Sequence, residues 1–318
     1  MRKLLCLAVG LASLSTICSA QTITETFGIG ANAFTMDFVT IGNPGNAADT
    51  TGSPNPAGSV AYTYNIGKYE VSRGQIDKAN AAGSLGITMY DMSRYTGNGV
   101  NKPATGISWY EGAVYANWLN TSKGYQAAYK FVGGIFQLWS PTDAGYNANN
   151  MFRNSLAKYV LPSTSEWYKA AYGNRNGTWN NFPTGSDSVP TGVASGTDAN
   201  TAVYGETAYS NGQAGPADIT NAGGLSPYGT MGQGGNVWEW IETAYDGINN
   251  TAGEVREFRG GAWTDVLSYN LDAVYPTSNN PSWYDVTYGF RVAMIPEPSS
   301  LSLFALGGVV VALGRKIG

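Results

Sequence analysis

Carboxylates are the side chains on which any chemistry of this sequence would depend. Histidine, the commonest acid–base catalyst and metal ligand, is absent, and the two cysteines, Cys6 and Cys18, lie in the N-terminal apolar segment. Two carboxylates that flank a glycosidic bond can hydrolyse it, and Asp265 with Glu239 or Asp285 is the candidate pair. The sequence contains neither a Gly-x-Ser-x-Gly elbow nor a phosphate-binding loop. Hydrolysis would therefore rest on two acids alone.

The composition indicates one globular body with many loops. At 318 residues the chain is long enough for one large domain or two ordinary ones. Hydrophobic residues make up 43% and charged residues 13%, which favours a packed core over disorder. The 42 glycines indicate many tight turns. A net charge of -4 gives no cationic surface for nucleic acid, so we expect no nucleic-acid partner.

Three segments have helix signals. An apolar pattern predicts a helix over Arg73–Ala82. Ser108 is a suitable N-cap for a second helix over Trp109–Asn120. Ser163 and Glu166 have the spacing of a capping box at the start of a third helix, which makes Glu166 a cap rather than a catalyst.

The strands that the sequence predicts are short and are separated by long irregular stretches. They are Asp37–Gly42, Val60–Val71 with a kink at Gly67, Glu257–Trp263 and Val286–Met294. Residues 124–158 and 173–229 are expected to be irregular. A loop of that length inside a compact domain is usually functional or held in place by other contacts, of which bound calcium is one.

The segment Gly234–Trp240 has the pattern of a buried strand preceded by two glycines. Alternation places Trp238 and Trp240 on one face, and Val237 and Glu239 on the other. Large aromatic side chains dominate burial in protein cores. We therefore expect the tryptophans to pack inside the domain rather than to stack on a ligand.

Together with other segments, Gly234–Trp240 resembles the formylglycine-generating enzyme family, also called sulfatase-modifying factor domains. The other segments are Pro103–Trp109 (PATGISW), Leu161–Ala171 (LPSTSEWYKAA), Arg259–Trp263 (RGGAW) and Tyr288–Ala293 (YGFRVA). Their order and spacing match over about residues 37–294. The resemblance implies an α+β fold: a loop-rich single domain of the C-type-lectin-like type, with little regular secondary structure.

The resemblance also implies where catalysis would lie. The family's enzymes oxidise a sulfatase cysteine to formylglycine with a pair of copper-binding cysteines just after the Arg-Gly-Gly segment. Here these positions match Asp265 and, less securely aligned, Asn270. A carboxylate and an amide do not replace soft thiolates as copper(I) ligands, and iron-dependent relatives need histidines. We expect a non-catalytic member, a pseudoenzyme; the alternative is a protein-modifying oxidoreductase with a rearranged site or an unrelated hydrolase.

The resemblance implies structural calcium, which prefers hard oxygen ligands. Glu239 would supply a side-chain oxygen. The other implied ligands are the carbonyls of Gly235 and Val237 and, at a second site, residues near Asn200, Thr201 and Asn211. The alternative for Glu239 is a buried ion pair with Arg291 or Arg259.

Aromatic residues follow the Arg-Gly-Gly segment, in the part of the chain that forms the active cleft in the resembling enzymes. The ligand-binding candidates are Trp263, Asp265, Tyr269, Trp283 and Tyr284, with Tyr275 between them. Flat rings stack on ligands and short polar groups hydrogen-bond to them. This composition suits a glycan or a peptide, while packing within the domain is the alternative for each ring.

The N-terminus has the pattern of a secretory signal peptide. Residues 1–20 begin with Arg2 and Lys3, continue with an apolar run and end in Cys18-Ser19-Ala20, which predicts cleavage after Ala20. A membrane anchor or a lipoprotein at Cys18 is the alternative. The main domain then spans residues 21–294.

The C-terminal residues 295–318 resemble a PEP-CTERM sorting signal. Pro296-Glu297-Pro298 precedes an apolar run over Leu301–Gly314 and a basic pair, Arg315 and Lys316. A stable membrane span needs about 20 residues, so a transient anchor is expected, with a permanent helix as the alternative. The resemblance implies an exosortase-type protease and the secretion machinery as partners. It further implies a binding or structural role at the cell surface or in the extracellular matrix.

Overall fold

The computed structural model describes residues 21–205 and 214–296. The predicted signal peptide, nearly all of the predicted sorting signal, and Asn211 lie outside these residues. None of the helices in the described ranges has the length and apolar character needed to cross a membrane.

Three α-helices occur in the described residues, each where the sequence predicts a helix. They are α1 (Arg73–Gly83), α2 (Trp109–Thr121) and α3 (Thr164–Tyr172). In each helix, the side chain of the N-cap serine accepts a hydrogen bond from the backbone N–H of the residue three positions later. The side chain of that residue accepts a hydrogen bond from the backbone N–H of the serine. Ser72, Ser108 and Ser163 are these caps, so all three predicted helices are confirmed.

The strands form two main sheets and two small ones. They are β1 Thr22–Phe27, β2 Phe34–Ile41, β3 Tyr64–Gly67, β4 Lys130–Val132, β5 Ile135–Gln137, β6 Tyr159–Val160, β7 Thr191–Gly192, β8 Thr201–Ala202, β9 Trp238–Ala244, β10 Arg256–Arg259, β11 Thr277–Asn279, β12 Tyr288–Phe290 and β13 Ala293–Met294. One sheet has the order β1-β2-β3-β13-β6 and the other has the order β11-β10-β9-β12. Strands β4 and β5 form a hairpin, and β7 pairs with β8.

Three predicted strands are shorter or split. The strand predicted over Val60–Val71 is only β3, because the Val60 carbonyl accepts from Gly45 N–H in a turn and the chain leaves the ladder after Gly67. Strand β10 ends before Gly260 and Gly261, whose φ angles of 101° and 77° lie in the left-handed region.

The stretch predicted as one strand over Val286–Met294 is divided between the two main sheets. Strand β12 pairs in parallel with β9, whereas β13 pairs with β3 and β6. The chain crosses from one sheet to the other at Arg291 and Val292, both fully buried. This crossing places a guanidinium between the two sheets.

The two faces of β9 differ as the alternation predicts. Trp238 and Trp240 pack against Phe258 of β10, with ring centroids 5.3 and 5.1 Å away. Glu239 lies on the other face, against the indole of Trp167 in α3. Both faces are buried, so β9 runs through the centre of the domain.

The long loops are held by hydrogen bonds rather than by regular structure. The stretch 124–158 contains only the β4–β5 hairpin, and 173–205 contains only β7 and β8. Asn236 Oδ1 accepts from the backbone N–H of Ala217 at 2.8 Å, and Asn236 N–H donates to the carbonyl of Val203 at 2.8 Å. Asn236, next to β9, therefore holds both Val203, which precedes residues 206–213, and Ala217, which follows them.

Candidate functional site

Glu239 forms the buried ion pair that the sequence left open. Its Oε1 lies 2.5 Å from Nη2 of Arg291, and its Oε2 lies 2.6 Å from Nε of the same guanidinium. The indole N–H of Trp167 donates to Oε2 at 2.7 Å. Arg259 lies opposite Glu239 in the β9–β10 register but pairs with Glu257 instead. Both oxygens of Glu239 therefore face donors.

A second buried carboxyl, Glu70, lies close to this pair. Burial raises the pKa of Glu70 well above its usual range, and the negative charge of Glu239 adds to the shift, while Arg291 opposes it. Glu70 Oε2 accepts from the amide of Asn236 at 2.7 Å. Its Oε1 is buried and has no hydrogen-bond partner within the described residues. The raised pKa favours the neutral acid.

The calcium ligands implied at Glu239 do not fit the geometry. Calcium needs oxygen acceptors, and the Glu239 oxygens are turned towards a guanidinium and an indole N–H. Across residues 21–205 and 214–296, no three or more acidic, histidine or cysteine side chains form a group able to hold a metal. A calcium ion at Glu239 would have to displace Arg291. Val237, the neighbouring implied ligand, directly precedes β9 and is itself fully buried.

The two segments for which calcium was predicted lie side by side. Val203 forms a parallel bridge with Gly235, and Asn200 and Thr201 lie three and two residues before Val203. Asn200 has a left-handed φ of 53°, and its side-chain oxygen accepts from Thr184 Oγ1 at 2.7 Å. Calcium at this junction stays a prediction.

The positions that match the family's cysteine pair contact each other. Asp265 follows β10, and Asn270 lies in a short 3-10 helix, Ser268–Leu271. The amide of Asn270 donates to the Asp265 carboxylate, and Ala262 N–H donates to Asp265 Oδ2 at 2.6 Å. Burial raises the pKa of Asp265, and both hydrogen bonds oppose that shift. A carboxylate–amide pair thus occupies the place of two thiols.

The ligand-binding candidates divide into buried and exposed residues. Trp263 is only 1% exposed and packs edge-on against Tyr95, so the expectation that it faces a ligand is corrected to a core position. Tyr269 is 48% exposed and packs against Tyr275 at a centroid distance of 4.9 Å. Trp263 is buried because the chain turns inward at Gly261, where φ is 77°.

Trp283 and Tyr284 are the most exposed of these candidates. Their exposed fractions are 55% and 62%. They lie in the turn between β11 and β12, where Trp283 N–H donates to Asn280 carbonyl at 2.9 Å. The adjoining Asp285 is occupied with Thr287, whose N–H and hydroxyl donate to Oδ1 at 3.0 and 2.8 Å. These rings are available to a partner without unfolding any element.

The carboxylates proposed for glycoside hydrolysis are not brought into one site. Glu239 is fully buried beneath the sheet and holds Arg291. Asp265 is bonded to Ala262 and Asn270, and Asp285 caps its own turn. A general acid needs access to the substrate, which Glu239 lacks. The Asp265–Glu239 assignment is therefore corrected.

Glu166 is a cap, as the sequence predicts, and also an ion-pair partner. Its Oε2 accepts from the N–H of Ser163 at 2.7 Å. Both of its oxygens accept from the guanidinium of Arg153 at 2.9 Å, and Arg153 Nε reaches Glu242 Oε2 at 2.6 Å. The resulting network is structural. The sequence contained no local signal for it, because Arg153 lies in the irregular stretch.

Comparisons with known proteins agree with this fold. A family model described as the sulfatase-modifying factor enzyme 1-like domain matches residues 21–295. A comparison with curated protein sequences gives no significant match.

Three solved structures share the fold. Variable protein 1 of Treponema denticola is 21% identical with a TM-score of 0.58, covering 86% of this chain and 99% of its own. CarF is 19% identical with a TM-score of 0.58, covering 82% and 98%. PvdO from Pseudomonas aeruginosa is 17% identical with a TM-score of 0.54, covering 86% and 98%. The predicted α+β, loop-rich, C-type-lectin-like fold is thereby confirmed.

The buried Glu239–Arg291 pair predicts that loss of the Glu239 charge lowers the free energy of unfolding by a large amount, whether or not calcium is present. Glu239→Gln removes one charge from a buried pair, which costs about 3–5 kcal/mol. Glu25→Gln, in a surface pair with Lys123, is the matched control and should cost less than about 1 kcal/mol. Denaturant unfolding with calcium and with chelator measures both variants. A loss for Glu239→Gln that is seen only with calcium would contradict the ion-pair assignment.

The raised pKa of Glu70 predicts that Glu70→Gln increases the free energy of unfolding, and that the increase depends on pH. A carboxyl with a raised folded pKa binds more protons folded than unfolded, so the unfolding free energy falls as the pH rises above the ordinary value of 4.5. The glutamine removes this penalty and should raise the unfolding free energy at pH 8 by on the order of 1–3 kcal/mol. Melting curves at several pH values measure it. The difference should vanish near pH 4, and a variant less stable than the native protein at pH 8 would contradict it.

Proposed function

Because the chain belongs to the family of sulfatase-modifying factor enzyme 1-like domains, we propose that it is a non-catalytic member with a binding or structural role outside the cell. The observation that carries this proposal is the hydrogen-bonded pair of Asp265 and Asn270 at the positions of the cysteine pair. Oxygen activation in the resembling enzymes uses two soft thiolates on copper. A hard carboxylate and a neutral amide do not supply that ligand set.

The remainder of the sequence offers no substitute for these thiols. Its only cysteines, Cys6 and Cys18, lie in the segment proposed to be cleaved, and it contains no histidine. The oxidoreductase alternative would need a redox centre built from other groups. The described residues do not gather acidic or other metal-ligating side chains into one cluster. The proposal of binding rather than turnover therefore rests on the absence of histidine and on the position of the two cysteines in the sequence.

We propose a glycan as the ligand. The exposed rings of Tyr269, Trp283 and Tyr284 present flat apolar faces beside short polar residues, a composition that stacks on sugar rings and hydrogen-bonds their hydroxyls. The tail resembles the PEP-CTERM class, which is associated with exopolysaccharide production. Loops on a rigid scaffold are the usual place for such binding.

We propose that secretion and processing follow the two terminal segments. Residues 1–20 would be removed as a signal peptide, and residues 295–318 would serve as a transient membrane anchor for an exosortase-type protease. The mature protein would then reach the cell surface or the extracellular matrix. Structural calcium is retained in the proposal only near Asn200 and Thr201, close to the bridge between Val203 and Gly235, since backbone carbonyls are suitable calcium ligands.

The absence of the thiol pair predicts no oxidase activity. Purified protein loaded with copper(I) should show no oxygen uptake with a cysteine peptide and no stoichiometric copper. The double variant Asp265→Cys with Asn270→Cys is the control, because contacting side chains at these positions would form a thiolate pair and retain copper. Turnover by the native protein would contradict the proposal.

The tail predicts a shortened mature protein. Mass spectrometry of the protein recovered from the cell surface should find no residue from Leu301 onward. Replacing Pro296-Glu297-Pro298 by alanines should leave the tail attached, because the protease would lose its recognition segment. An intact C-terminus on the native surface protein would refute processing.

A further inference from the structure

A pocket of about 450 Å³ opens where α3 begins and β9 ends. Its volume falls within the range of about 300–1,000 Å³ typical of small-molecule sites. Ser163 and Thr164 at the start of α3, Thr243 and Tyr245 at the end of β9, and Glu257 of β10 all line it. We call it the α3 pocket. None of these residues belongs to the candidates discussed above, and the segments that meet here are far apart in the sequence.

The charges around the α3 pocket disfavour an anion. Asp246 and Glu257 are carboxylates, and none of the described residues that line the pocket is a lysine or an arginine. The helix N-terminus does not attract an anion either, because Glu257 already lies against it. Its Oε2 accepts from Thr164 Oγ1 at 2.6 Å, and its other oxygen accepts from Arg259. Because Arg259 compensates the charge of Glu257, an anionic ligand would meet one uncompensated negative charge, that of Asp246, and no cationic side chain among the lining residues.

The polar groups of the pocket match a ligand with many hydroxyls. Thr243 Oγ1 accepts from Thr164 N–H at 2.9 Å, and Ser163 Oγ accepts from Glu166 N–H at 3.3 Å. Each of these hydroxyls keeps its own O–H as a donor. Asp246 uses Oδ1 to accept from Ile248 N–H at 2.9 Å, and its second oxygen is an acceptor for a ligand. Donors and acceptors thus alternate around one cavity.

The pocket also has flat apolar walls. Tyr245 is 53% exposed, and Pro54 and Pro276 line the same opening. Rigid rings of this kind present apolar area at little conformational cost and pack on the C–H face of a pyranose. Hydroxyl partners at the base and flat walls at the rim describe a site for a sugar ring.

Pro276 connects the pocket along the chain to the aromatic residues of the proposed binding surface. Pro276 follows Tyr275, whose ring lies 4.9 Å from that of Tyr269. A chain of sugars that crosses Tyr269 and Tyr275 would therefore reach the opening.

We propose that the α3 pocket binds one or two neutral pyranose rings of a polysaccharide. The inference rests on the proposed glycan-binding function and deepens it, since it names the charge and ring type of the ligand. A uronic acid is disfavoured, because its carboxylate would face Asp246 with no lysine or arginine in the lining. A neutral ring satisfies the carboxylates and hydroxyls through its own hydroxyl groups and covers Tyr245 with its apolar face.

Calorimetric titration of the purified protein with maltose, cellobiose, lactose and mannobiose tests the inference. At least one should bind, whereas glucuronic acid should not. Asp246→Asn keeps the turn bond through its side-chain oxygen but loses the charged acceptor, and Tyr245→Ala loses the flat wall. Each should weaken the binding about tenfold or more. Ile29→Ala, at a side chain 87% exposed between β1 and β2, is the control and should bind as the native protein does.

Several results would overturn the inference. One is that no neutral disaccharide binds, and another is that neither pocket variant weakens the binding. A third is that glucosamine binds more tightly than the neutral sugars, which would indicate a cation site. Binding of the cell's own polysaccharide, measured with the same variants, separates the two proposals. Binding that survives in Tyr245→Ala and Asp246→Asn but is lost in Trp283→Ala would overturn the pocket and leave the glycan surface standing.

Discussion

The structure depends on one buried ion pair between two sheets. Arg291 lies where the chain leaves β12 for β13, and its guanidinium holds both oxygens of Glu239 on β9. The same group donates to the carbonyl of Gly67 at 2.9 Å, where β3 ends, and to that of Met231 at 2.8 Å, in the loop before β9. A buried charge is tolerated only when it is paired and hydrogen-bonded. This requirement fixes how the two sheets and the long loop meet, so the loops beyond them start from fixed positions.

That fixed centre explains how a domain with so little regular structure can present a defined surface. Asn236, adjoining β9, bonds Glu70 through its amide and Ala217 through its oxygen, which connects the loop to the core. On the far side, β10 ends at two left-handed glycines and the chain turns back through Asp265. In the resembling enzymes this turn carries the copper thiols. Here it holds a carboxylate–amide pair, and the exposed rings follow it.

Features that depend on residues close together in the sequence, such as the starts of helices, could be predicted from it. Contacts between residues far apart in the sequence could not. The capping boxes at Ser108 and Ser163 fixed the helix starts, since the bonds involved span three residues. The alternation around Glu239 gave its face, but its partner lay 52 residues away and stayed open between two arginines. Trp263 was misplaced because an aromatic after a loop looks the same whether the chain turns inward or outward. The pocket at Tyr245 was not predicted, because its walls come from separate segments that only the fold brings together.

The central claim is that a scaffold of an oxidase family serves here as a glycan-binding module without catalysis. The most direct measurement is a binding isotherm of the purified protein on the extracellular polysaccharide of the cell that makes it. The account predicts saturable binding that Trp283→Ala together with Tyr284→Ala weakens, without any change in the melting temperature, because both rings are exposed in a turn. The absence of saturable binding, or binding that the double variant leaves unchanged, would contradict it.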